Sequence, residues 1–239
     1  MNSKLNIIFP GIEHIFMPVI HMDEKAIAFM NAKIAFDCGA DAVWLIGHEL
    51  PPEEFMKNAL EIKRLMPDKW IGVNILKAKN AETIQLFDNR MDGLWKDFGG
   101  IREEDDGTIN VTDAGTIDFY IGEMNTFNLQ TLYFGGVAFK YIKDVKTNFK
   151  EAAKRAVDFM DVITTTGEET GKPPSIEKIK AMKEGAGDHP LAIASGMTAE
   201  NVKEFMPHVR CFLVATGISK DFYNLDPSET RAFARAIGK

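Results

Sequence analysis

The sequence predicts an α/β fold, a single (β/α)8 barrel over residues 1–239. Three observations predict it. Short apolar runs rich in Val and Ile alternate with segments of helical period, giving up to eight strand–helix units. Strands of that kind need a mostly parallel sheet whose outer face is covered by helices. The 239 residues contain no low-complexity linker and no close internal repeat that would divide them. A doubly wound open sheet is the rival arrangement, because the length suits either.

The elements follow in order. Met17–His21 is the first clear strand. Asp23 precedes a helix from Glu24 to Phe36, which Gly39 is placed to end. Asp41–Ile46 is strand two, and Pro51 and Pro52 open a helix running to Met66. Trp70–Ile75 is strand three, followed by a helix from about Asn80 to Asn89. Met91–Lys96 is strand four, where Gly99-Gly100 interrupts the pattern. Gly99 to Thr112 reads as irregular and could form part of a lid, with the acidic run Glu103-Glu104-Asp105-Asp106 facing water or, as the alternative, a metal. A helix is expected within Ala114–Asn128. Thr131–Phe139 is strand five, loosened by Gly135-Gly136. A helix from Asn148 to Asp158 leads to strand six, Phe159–Thr164, and a helix from Ser175 to Gly185 leads to strand seven, Leu191–Ala194. The next helix starts near Ala199, with Thr198 as its cap. Strand eight is Arg210–Ala215, and the last helix runs from Pro227 to Gly238.

The formal net charge is -7, and acidic and basic side chains are mixed along the whole chain. That balance disfavours non-specific nucleic-acid binding, which rests on a positive surface. The tryptophans agree: Trp44 and Trp70 sit within apolar strands and no basic tract flanks them. Cys38 and Cys211 read as small buried hydrophobes in a reducing compartment, with no paired-cysteine metal signature. No signal-peptide run or bilayer-length apolar segment is seen, so a cytoplasmic chain without a transmembrane segment is expected.

The stretch His189-Pro-Leu-Ala-Ile-Ala-Ser-Gly-Met-Thr198 places Ser195-Gly196 where a buried strand gives way to a helix. In a barrel the chemistry sits at the C-terminal strand ends. A glycine there lets backbone N–H groups approach a ligand. The next strand ends in Ala215-Thr-Gly-Ile-Ser-Lys220. Ser195, Gly196, Thr216, Gly217 and Ser219 therefore form a candidate phosphate site, with Lys220 near its rim. The competing reading is that both glycines only permit tight turns. The GxxxxGK[ST] phosphate loop is absent.

Thr165-Thr-Gly-Glu-Glu-Thr-Gly-Lys-Pro-Pro174, the Ser195-Gly-Met-Thr-Ala-Glu-Asn-Val202 run and Ile71-Gly-Val-Asn-Ile-Leu76 resemble the BtpA/SgcQ family. The resemblance covers most of the chain and is most specific in the C-terminal third. It implies a barrel similar to phosphate-binding TIM barrels. Some members of that family are linked to photosystem I biogenesis, and others accompany sugar-metabolism genes. The chain departs from the family pattern in its centre. Gly136-Val-Ala-Phe-Lys-Tyr141 stands where an Asp-Val-His-Val-Lys-His run is usual, and Trp95 and Asp97 replace an arginine and an asparagine.

Several groups could carry chemistry. Lys140 and Lys96, at the ends of strands five and four, could pair with a substrate anion, and Lys140 could form an imine if desolvated. The bland alternative for both is a salt bridge. Asp97 could be a general base, or could bind Mg²⁺ with Glu49 and Glu168. His21 and His48 follow strands one and two and titrate near neutral pH; His21 is the better placed. Asn74 interrupts an apolar strand, so it either orients substrate or fastens a neighbouring strand. Thr165, Glu168 and Lys172 lie on a glycine-containing loop that either contacts ligand or is simply exposed. His14, His189 and His208 are peripheral.

Three functions compete. The first is an enzyme acting on a phosphorylated sugar-like metabolite, as a lyase, isomerase or transferase, with His21, Asp97 and Lys140 as its chemical groups. The second, implied by the family resemblance and the altered central motif, is a non-catalytic assembly or regulatory barrel. The third is a phosphoribosyl-type transferase, although the usual acidic diol-binding signature is not evident. The expected partner is a phosphorylated small molecule rather than nucleic acid. Association into a homo-oligomer stays open.

Overall fold

The computed structural model describes residues 3–112, 131–142 and 144–239. Its strands in chain order are β1 (Ile15–His21), β2 (Ala42–Ile46), β3 (Trp70–Asn74), β4 (Gly93–Lys96), β5 (Ile101–Glu103), β6 (Ile109–Val111), β7 (Leu132–Gly136), β8 (Val162–Thr165), β9 (Leu191–Ile193) and β10 (Cys211–Val214). Eight of them close into one parallel barrel in the order β1-β2-β3-β4-β7-β8-β9-β10, and β10 pairs back onto β1. Strands β5 and β6 form a separate antiparallel hairpin. The helices are α1 (Lys4–Ile8), α2 (Lys25–Asp37), α3 (Pro52–Leu65), α4 (Asn80–Leu86), α5 (Phe149–Ala156), α6 (Ile176–Ala186), α7 (Val202–Phe205) and α8 (Pro227–Ala236). The helix expected within 114–128 lies outside the described residues. The closed order excludes the open doubly wound sheet.

Alternation along the strands divides the apolar residues into two cores. Phe16, Ile20, Val43, Leu45, Ile71 and Val73 face outward and pack against the helices. Ile15, Met17, Val19, Trp44, Phe134 and Leu213 face the barrel axis. The axis is unusually aromatic. The Trp44 ring lies 5.0 Å from Trp70, 4.8 Å from Phe134 and 5.9 Å from Trp95, all near edge-to-face. Two glycines make room for these rings. A Cβ on Gly72 would lie 2.3 Å from Trp44, and one on Gly93 would lie 2.4 Å from Trp70. Helix α1, which sequence periodicity did not reveal, closes the base. Leu5 is fully buried in the axial core and Phe9 sits 5.8 Å from Trp70.

At that base an aspartate precedes three of the four alternate barrel strands β2, β4, β8 and β10. Asp41, Asp92 and Asp161 each make a two-way exchange with the strand before. Their amides donate to the carbonyls of Phe16, Ile71 and Tyr133, and their carboxylates accept the amides of those same residues at 2.7–2.8 Å. A lysine neutralises each carboxylate: Lys239, Lys63 and Lys4 respectively. In the fourth pair Arg210 takes the equivalent place, and its amide donates to Leu191.

The stretch expected to be irregular holds the β5–β6 hairpin, whose role is to deliver Glu103. This carboxylate is almost fully buried and accepts the Thr147 hydroxyl and the amides of Lys146, Thr147 and Asn148, immediately before α5. It serves as a helix cap supplied from a distant segment. Burial works to raise the Glu103 carboxyl pKa, but the Thr147, Lys146 and Asn148 donors outweigh it and bring it down to about 2. Thr198 and Asn201 exchange bonds as the expected cap would, but regular helix begins only at Val202. Cys38 and Cys211 are buried and unpaired. Among the described residues no helix is long and apolar enough to cross a membrane.

Two outcomes are expected. Asp41→Ala removes the acceptor of the Phe16 amide and strands Lys239, so urea unfolding should show a loss of about 2–4 kcal/mol, with Asp41→Asn milder. Glu103 has a depressed folded-state pKa, so its contribution is present above the unfolded value and lost as pH falls from about 4.5 to about 2. The stability gap between wild type and Glu103→Gln should therefore reach roughly 3 kcal/mol at pH 7 and close toward pH 2.

Candidate functional site

The C-terminal strand ends surround a cavity of about 610 Å³. Strand parity sets its layers. On β1, His21 stands one inward step above Val19. Asp97, just past β4, stands above Trp95, and Ala215, just past β10, stands above Leu213. All six line the cavity. Polar groups thus form an upper ring over an apolar floor.

The upper ring is tightly coupled. His21 Nδ1 lies 2.9 Å from His48 Nε2, so one imidazole donates and the other accepts. Phe222, from the loop after β10, stacks on His21 at 4.0 Å and meets His48 edge-on at 5.1 Å. Burial, then the neighbouring His48, lowers His21 to about 4 against the pull of Asp23. Burial also lowers the His48 pKa. Both rings are neutral at pH 7. Asp23 anchors this corner by accepting the Tyr223 hydroxyl at 2.9 Å and the Glu49 amide at 3.0 Å.

Across the cavity, Asn74 Nδ2 donates to Asp97 Oδ1 at 2.9 Å. Burial raises the Asp97 carboxyl, while the Asn74 bond and the Lys140 charge oppose the rise. Lys140 Nζ donates to the Thr170 hydroxyl at 3.1 Å and lies 5.3 Å from the Tyr141 ring. Burial lowers its pKa. Asp97 and Lys140 both line the cavity and act on each other through charge.

The position of Lys140 depends on a residue that sequence reading missed. Ala138 holds a left-handed φ of 56°, an uncommon state for a residue with a Cβ. Lys178, on α6, donates to Ala138 O at 2.7 Å and Thr166 O at 2.8 Å, tying the loops after β7 and β8 together. Burial lowers its pKa to about 8. In a helical stretch rich in lysine, nothing in the sequence marks Lys178 as the buried one.

Of the residues expected at the site, His21, Asp97, Lys140, Ser195, Gly196, Thr216 and Ser219 line this one cavity. The others do not. Lys96 alternates with Trp95 and Asp97, so it points outward and donates to Ala78 O and the Thr83 hydroxyl. Asn74 fastens β3 to the end of β4 through Asp97. Thr165 is the last residue of β8, and its hydroxyl is spent on Ala138 O. Glu168 and Lys172 are exposed on the following loop, where Lys172 pairs with Glu169. Glu49 pairs with Lys77. Among the described residues no group of three or more His, Cys, Asp or Glu side chains is arranged to hold a metal ion.

The two glycine turns share a wall of the cavity, but their glycines are needed for chain-to-chain contact. A Cβ on Gly196 would lie 2.1 Å from the Pro173 nitrogen, and one on Gly217 would lie 2.1 Å from Met197 O. The Ser195 hydroxyl is likewise occupied, donating to Glu169 O and Lys172 O. The loops after β8, β9 and β10 are thus nested on one another. Among the described residues, the amides of Gly196 and Met197 carry no hydrogen bond.

The buried histidine pair makes a direct expectation. Nitrogen-detected titration should place His21 near pH 4, and Phe222→Ala, which opens the ring to water, should move it toward the ordinary value of about 6.5. An unshifted His21 in the wild type would contradict the stacked, desolvated arrangement.

Solved structures similar to this chain are barrel enzymes of low sequence identity. Phosphoribosyl anthranilate isomerase from Thermus thermophilus is 14% identical, with a TM-score of 0.63 over 93% of this chain and 98% of that one. (S)-3-O-geranylgeranylglyceryl phosphate synthase from Thermoplasma acidophilum, in complex with sn-glycerol-1-phosphate, is 11% identical, with a TM-score of 0.65 over 98% and 96%. Tryptophan synthase from Mycobacterium tuberculosis is 10% identical, with a TM-score of 0.65 over 99% of both chains. These likenesses establish the TIM-barrel fold. No curated protein matches the chain. The BtpA family model matches residues 62–239, from within α3 to the last residue, and the chain therefore belongs to the BtpA family.

Proposed function

We propose that this cytoplasmic barrel is an assembly or regulatory protein whose mouth binds a small phosphorylated metabolite. One observation carries the binding half of the proposal. A single cavity brings Lys140 together with the Ser195–Gly196 and Thr216 turns, and the Gly196 amide at that wall is unpaired among the described residues. A cation and an open amide suit a phosphate group. The regulatory half rests on membership of the BtpA family and on the state of the reactive groups. Asp97 is held by Asn74, His21 by His48, and Ser195 by two loop carbonyls.

A catalytic reading has its own support in the coupled Asp97 and Lys140, whose pKa values burial pushes toward neutrality from opposite sides. Titration calorimetry with inorganic phosphate and a panel of phosphorylated metabolites, run beside product analysis of the same mixtures, separates the two readings. Saturable binding without conversion, weakened roughly tenfold by Lys140→Met, is expected. Conversion abolished by Asp97→Asn would make the protein an enzyme. No binding by any member of the panel to folded protein would remove the phosphate site altogether.

A further inference from the structure

The floor of the mouth defines the ligand more narrowly than its rim. Val19, Trp95 and Leu213 line the cavity one step below the polar ring, and Ile46, Leu76 and Phe139 add apolar lining at the strand ends. Five of them are buried, and Leu76 packs against the same axial core. Above them stands the Phe222 ring, half exposed and stacked on a histidine pair that is neutral at pH 7. The ionisable groups that line the cavity are all in its upper part: His21, His48, Asp97, Lys140, Lys220 and Asp221, with Tyr141 beside Lys140.

A polyol would fare badly here. Each hydroxyl pressed against Val, Leu or Trp loses its water and finds no partner, at a cost of about 1–3 kcal/mol. Several polar atoms that could serve a sugar are already engaged: Asp97 Oδ1 by Asn74, the Ser195 hydroxyl by two carbonyls, and His21 Nδ1 by His48. An apolar body on the same floor gains its transfer free energy and leaves no polar group unpaired. Aromatic edges and faces of Trp95, Phe139 and Phe222 add contacts with a flat or branched hydrocarbon.

We infer that the ligand is an amphiphilic anion, with an aromatic or isoprenoid hydrocarbon body seated on the apolar floor and an anionic head held at the Lys140 rim. The inference rests on the proposed anion site and specifies what that anion carries. Phe222 sets specificity as the roof over the body. It lies outside the anion-binding wall, on an exposed loop, so its replacement should leave the fold intact.

Calorimetric titration with four phosphate probes, and naphthol as an uncharged control, tests this: inorganic phosphate, a pentose phosphate, naphthyl phosphate and a ten-carbon prenyl phosphate. Naphthyl or prenyl phosphate should bind at least about tenfold more tightly than the pentose phosphate, and the tighter of the two identifies the body. At about pH 8.5, where His21 stays neutral even at its ordinary pKa of about 6.5, Phe222→Ser should weaken that probe by roughly tenfold and leave inorganic phosphate unchanged. If phosphate binds but the hydrocarbon adds nothing, or the pentose phosphate binds best, this inference fails and the anion site stands. Absence of binding by all four probes overturns both. Naphthol binding as tightly as naphthyl phosphate would keep the floor and discard the anionic head.

Discussion

The two-way exchange between an aspartate and the preceding strand is the constraint on which the rest of this barrel depends. Each of Asp41, Asp92 and Asp161 gives its amide to one residue and takes that residue's amide on its carboxylate. The pair of strands is thereby locked in one register at its entrance. In a parallel sheet a slip of one residue would swap the axial and helical faces. Trp44 would leave the axis, and His21 and Asp97 would leave the mouth. The lysines that neutralise these carboxylates come from α1, α3 and the last residue, so the same three anchors also tie outer segments to the base.

That register explains why the chemistry gathers where it does. Inward positions end in aromatic and aliphatic side chains until the last step, where His21, Asp97 and the glycine turns replace them. Loops then complete the site from outside the sheet: Lys140 through the strained turn at Ala138, and Phe222 through the Asp23–Tyr223 contact. The nesting of the loops after β8, β9 and β10 leaves their glycines no freedom to move independently.

Much of this was legible in the sequence. The eight barrel strands announce themselves as apolar runs, and their order follows from the rule that parallel strands need crossovers. His21, Asp97 and Lys140 were legible because each ends such a run. The outward direction of Lys96 follows from alternation with Trp95 and Asp97, and the aspartate recurs in the sequence before Ala42, Gly93 and Val162. Other features leave no local trace. Glu103 sits in an acidic stretch that looks solvated until α5 presents its amides, and Phe222 sits in a polar loop whose partner is about two hundred residues away. Helix α1 is five residues long, too short for periodicity to declare it.

The aromatic axis has an optical consequence. All three tryptophans of the chain meet inside the barrel, where Trp44 contacts both Trp70 and Trp95. Rings that close and that differently oriented share their electronic transitions, so the near-ultraviolet dichroism of this protein is weighted toward its centre. Loosening of the interior, even with every helix retained, would dim that signal first.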